Sequence, residues 1–73
     1  MYNTYLLPIY DVETTICYIE STTAVNLSEA KNQFIQFYNE EFNLNCNDWD
    51  ELDQELCEKC GLILGEIYDK EEF

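Results

Sequence analysis

Residues 48–68 read DWDELDQELCEKCGLILGEIY, and the reading of this run decides the fold. Trp49, Leu52, Leu56 and Cys60 recur at spacings of three, four and four, which puts them on one face of a helix. Asp48, with Glu51 three residues on, forms a capping box at its start, and the acidic first turn suits the positive end of the helix dipole. Gly61 stands where a left-handed C-cap residue belongs. Beyond it, Leu62 to Tyr68 becomes an apolar run of strand length, expected as a third strand in a more central position of a sheet.

Upstream, Asn26 with Glu29 marks another helix start. Leu27, Ala30, Phe34, Phe37, Tyr38 and Phe42 then form a helical stripe that Ile35 broadens, and this periodicity expects Phe34, Phe37 and Phe42 in the core. The helix finishes in Asn39-Glu40-Glu41, which sets negative charge at the negative pole of its dipole. Asn43 to Asn47 is a polar link.

Farther upstream, Tyr2 to Tyr10 and Thr15 to Ser21 predict a hairpin turning at Asp11 to Thr14. Pro8 lacks a ladder donor and points to an edge strand or a bulge. In the second strand Ile16, Tyr18 and Glu20 share one face, Cys17 and Ile19 the other. The order is β-β-α-α-β, closed by a charged tail, Asp69 to Phe73. The expectation is a single α+β domain over residues 1–73, with two helices on one face of a three-stranded antiparallel-type sheet.

A chain of 73 residues buries only about 60% of the surface its unfolded form exposes, so its core must be dense. The hydrophobic fraction of 47% and the aromatic fraction of 15% meet that demand and separate the chain from an acidic disordered segment. The N-terminal MYNTYLLPIYDVE has no basic leader, and its apolar run is broken by Pro8 and Asp11, so no signal peptide is read there. Nothing approaches the run of about 20 apolar residues that spans a membrane. The expected location is cytoplasmic, with the four cysteines reduced.

Sixteen Asp and Glu oppose three Lys, with no Arg or His, for a formal charge of −13. Without His, acid-base catalysis near neutrality loses its usual agent. Without Arg, the usual bidentate clamp for phosphate or carboxylate is missing too. There is no glycine-rich phosphate loop, since Gly61 and Gly65 are the only glycines. The chain is therefore expected to be non-catalytic and to use no cofactor.

Cys57-Glu58-Lys59-Cys60 is a C-x-x-C, but a zinc ribbon needs two such knuckles and this one ends a helix. Cys17 and Cys60 are expected as apolar core residues, with a zinc-stabilised domain kept as an alternative. A calcium loop starting at Asp48 fails, because its sixth and twelfth positions are Asp53 and Lys59 rather than Gly and Glu.

What remains is where the charge lies. Asp48, Asp50, Glu51, Asp53, Glu55 and Glu58 put six carboxylates into eleven residues, and Glu66, Asp69, Glu71 and Glu72 follow the last strand. Eleven helical residues span about 16 Å, a length over which duplex DNA carries roughly ten phosphate charges. The expected partner is a basic nucleic-acid-binding protein, such as a nuclease or effector complex. Nucleic acid and anionic membrane would be repelled.

In size, charge and compactness, through these carboxylates, the chain resembles small acidic phage-encoded inhibitors of host defence. These are the DNA mimics that block restriction enzymes, CRISPR effectors or repair enzymes. The resemblance implies a stoichiometric inhibitor that occupies its target's nucleic-acid site. The alternative is a small acidic adaptor or subunit that binds through its sheet face or edge, with Tyr5, Ile9 and Ile67 as its contacts.

Overall fold

A computed structural model of the chain describes residues 1–72; Phe73 and the side chain of Glu72 lie outside the described set. The elements run β1 (Asn3–Asp11), β2 (Ile16–Ala24), α1 (Leu27–Phe42), α2 (Trp49–Cys60), β3 (Leu62–Leu64) and β4 (Tyr68–Asp69), ending in a 3-10 turn at Lys70–Glu72. The fold is α+β, with an antiparallel sheet under two helices. No helix among the described residues is long and apolar enough to cross a membrane.

The hairpin pairs over nine uninterrupted positions, from Asn3 opposite Ala24 to Asp11 opposite Ile16. At its turn the Asp11 carboxylate accepts from the Glu13 and Thr14 amides, the local bond that lets aspartate start a turn. Alternation then sorts the side chains. Leu7 and Ile9 are fully buried on the helix side and Tyr5 nearly so, whereas Leu6, Pro8 and Tyr10 face away.

Two sequence expectations about the sheet are corrected. The expected third strand is two short strands, β3 and β4, both paired with β1. It is also peripheral: β1 is the central strand, and β3 borders it on the side opposite β2. Pro8 explains how a proline fits a central strand. Its carbonyl accepts from the Gly65 amide at 2.8 Å, so its donorless nitrogen faces the same side, where residues 65–67 interrupt the ladder. The bulge is real, and the partner strand makes it. Glycine suits this close approach, because a Cβ at Gly65 would sit 3.0 Å from the Pro8 ring and 3.2 Å from its carbonyl oxygen, tighter than ordinary van der Waals contact.

Both helices begin as expected, with Asn26 and Asp48 side chains each accepting the amide three residues on at 2.8 Å. Gly61 closes α2 with φ of 67°, and Asn43 closes α1 in the same left-handed region. The core joins Leu7 and Ile9 to Phe34, Ile35 and Tyr38 of α1, to Leu52 and Leu56 of α2, and to Leu62. Phe37 and Phe42 are exposed, against the expectation. Phe37 lies at the flank of the stripe. Leu27 and Phe42 lie on it, but a 16-residue helix is about 24 Å long and overhangs the core at both ends.

The Tyr38 ring packs between Phe37 and Phe42, and its hydroxyl is buried without a hydrogen-bond partner. Burial, with Glu20 and Tyr18 adding to it, pushes this phenol far above its ordinary value of 10.0. The unfolded chain therefore ionises Tyr38 first. Its stabilising contribution is whole below pH 10 and is lost as pH rises through the alkaline range. Tyr38→Phe removes the unpaired hydroxyl, and is expected to raise stability by about 1 kcal/mol at neutral pH and to flatten the alkaline decline. Chemical denaturation at neutral and alkaline pH measures both.

Candidate functional site

The link between the helices sets where the acidic helix lies. Asn39 clasps Cys46 with two hydrogen bonds, its amide nitrogen to the Cys46 carbonyl at 2.9 Å and its oxygen from the Cys46 amide at 3.0 Å. This doubles the link back along α1 and carries Trp49 to Phe34, where the rings meet edge to face at 6.4 Å. Trp49 is half-buried, and it shares a shallow depression with Leu27, Lys31, Gly65 and Glu66. α2 then packs over β3, and α1 over β2. β3 and β4 both border β1 on the side away from β2, so α2, β3 and β4 make up one flank of the molecule.

That flank gathers the expected site residues. Asp48, Asp50, Asp53 and Glu58 are exposed along α2; Glu66 and Glu71 are exposed beyond it. Glu51 and Glu55 are only half-buried rather than fully outward, and they border a hollow formed with Asn43, Asn45, Cys46 and Lys59. Lys59 reaches Glu55 at 2.8 Å in the favourable orientation four residues on, and this bond raises the lysine's pKa. Glu55 is thereby paired with a cation. Asp69 is also engaged, accepting from the Asn3 amide group and capping the final turn at the Glu71 amide. Glu72 belongs to that turn, with its side chain outside the described set.

The cysteines are not brought together. Cys46 is buried, Cys60 half-buried, and Cys17 and Cys57 exposed; all four are free thiols. This corrects the expectation for Cys17 alone, which faces away from the helices, while Cys60 packs against the core as expected and Cys46 is drawn in by Asn39. Burial, then Glu51 and Glu55, raise the Cys46 thiol pKa and keep it protonated. Among the described residues, no group of three or more Cys, Asp or Glu is placed to hold a metal ion.

The far side of the sheet has a different character. Every charged strand residue, Asp11, Glu20 and Asp69, falls on the helix side by register. Leu6, Pro8, Tyr10, Cys17, Ile19 and Ile63 occupy the other, interspersed with Thr and Ser, and no element among the described residues covers them. Of the contacts named for an adaptor, Tyr5 and Ile9 are core residues and cannot serve, and Ile67 is half-buried against the core. The alternation in β2 showed which residues share a face, but no local signal showed which face the helices would leave bare.

Comparison with protein-family models, with curated proteins and with solved structures returns no match.

Proposed function

We propose that this protein is a non-catalytic binding module that presents the carboxylates of the α2–β4 flank to a cationic cleft on another protein. In this reading it is a cytoplasmic inhibitor occupying the nucleic-acid site of a nuclease or effector complex, in the manner of phage counter-defence proteins. The observation that carries it is the exposed row Asp48, Asp50, Asp53 and Glu58, with Glu66 near the same helix start. Asp50 and Asp53 repel each other across one helical turn. That cost is tolerated on a helix that could have carried lysines. Six carboxylates in eleven residues overstate the density a partner meets, because Lys59 holds Glu55, yet the exposed four still leave the surface of α2 strongly anionic.

The test is capture of partners from a host lysate on the immobilised protein at low and high salt. The recovered protein is then assayed for nucleic-acid binding with and without the free module. Recovery of nucleic-acid-binding proteins at low salt only, followed by displacement of their nucleic acid, is the expected result. Salt-insensitive capture, or a partner that keeps its nucleic acid, would sink the reading.

The uncharged, uncovered sheet face favours a second reading, an adaptor bound through Leu6, Tyr10, Ile19 and Ile63. Salt-insensitive capture abolished by Ile63→Lys would select it.

A further inference from the structure

We propose that two copies of this chain associate through the outer edge of β2, the strands pairing antiparallel about a twofold axis. The proposal is independent of what the acidic flank binds.

β2 ends the sheet, and among the described residues no strand pairs with its outer side. Its free main-chain groups can be assigned. Ile19 lies opposite Pro8, whose carbonyl turns the other way to accept from Gly65. The Pro8–Ile19 pair is thus a non-hydrogen-bonded one, and the amides and carbonyls of Cys17, Ile19, Ser21 and Thr23 point outward. Edge strands are ordinarily guarded by lysine, proline, a bulge, short length or an inward-pointing charge. β2 runs nine residues with only the last of these, Glu20. Its one charge, Glu20, is half-buried on the helix side, and a register centred on Ile19 keeps the two copies of Glu20 from facing each other.

A second copy is the occupant that the charge distribution selects. Residues 48–72 carry ten of the sixteen carboxylates, and they form the flank opposite β2. The β2–α1 side instead exposes Ile16, Ile19, Val25 and Phe37, with Ile19 at 56% and Phe37 at 49%. A twofold through β2 buries part of this apolar strip and sends the two acidic flanks to opposite ends of the pair. A chain of charge −13 can meet its own copy there with the least repulsion. Nine residues of strand give a contact about 30 Å long. At two layers deep that is on the order of 500 Å² on each copy, near the lower limit for a specific interface, so the dimer is concentration-dependent.

Sedimentation equilibrium of the reduced protein over a range of concentration and salt tests this. The expected result is a two-chain particle that added salt leaves unchanged or tightens, the opposite sign to the carboxylate docking above. Ile19→Pro removes one outward donor and leaves the β1 ladder intact, and Ile19→Lys installs an edge guard on the exposed face. Each is expected to weaken association at least tenfold while circular dichroism and the thermal midpoint stay near those of the parent. A single chain at every concentration, particles larger than two chains, or a dimer indifferent to Ile19→Lys would overturn the proposal. If Ile19→Pro fails to fold, Ile19→Lys alone decides.

Discussion

Leu52→Ala is expected to lower stability by about 2–5 kcal/mol, the cost of removing a fully buried leucine and leaving a cavity. Leu52 has no exposed surface and, among the described residues, belongs with Leu7, Ile9 and Leu56 to the largest fully buried side chains. It projects from the acidic helix into the joint between both helices and the sheet. Stability of 0.05–0.15 kcal/mol per residue sets the total for a domain of this size at roughly 4–11 kcal/mol. One truncation therefore removes between a fifth and all of it. Urea denaturation followed by circular dichroism reads the loss directly. Leu52→Met, which nearly conserves volume, is expected to cost less than about 1.5 kcal/mol. A loss under 1 kcal/mol for Leu52→Ala would show that α2 is held by something other than this core.

The second large effect concerns binding. Reversing Asp50 and Asp53 to lysine is expected to weaken the cationic partner on the order of 10²-fold. Close charge pairs at interfaces couple by about 1.5 kcal/mol or more each, and every 1.4 kcal/mol is tenfold. The same change of net charge at Glu40 and Glu41, exposed on α1, is expected to leave affinity within a few-fold. Titration calorimetry on the captured partner makes the comparison. Equal losses from both double variants would show that net charge alone matters and that the α2 strip has no special place. The double reversal on α2 should not destabilise the fold, because it replaces two like charges one turn apart and leaves the capping Asp48 untouched.

The helices were legible because their signals are local. Asn26 and Asp48 cap through bonds to residues three positions on, and Gly61 ends α2 by a conformation that glycine adopts freely. The hairpin was legible for the same reason, since alternation and a turn aspartate act over a few residues. The acidic row on α2 was visible once Trp49, Leu52 and Leu56 fixed the inward face. Its partial neutralisation was half visible, since Lys59 stands four residues after Glu55.

Other features had no local signal. Phe37 and Phe42 match the stripe of α1 in sequence, yet burial depends on how far the sheet extends beneath the helix. Cys46 is a loop residue by every local measure, and Asn39, seven residues away, draws it inside. Pro8 suggests an edge or a bulge, and only the break at Gly65 in a strand more than fifty residues later shows how a central strand accommodates it.

By itself, then, the sequence determined the elements, their order, the caps and the surplus of negative charge, all of which follow from contacts within a turn or two of chain. Tertiary structure alone decided that β1 is central, that β2 is left as an open edge, and that most carboxylates lie on the flank opposite it. Those outcomes depend on which strands pair across long separations, and pairing is settled by the shared burial of Leu7, Ile9 and Leu62 beneath both helices rather than by any residue's neighbours in the chain.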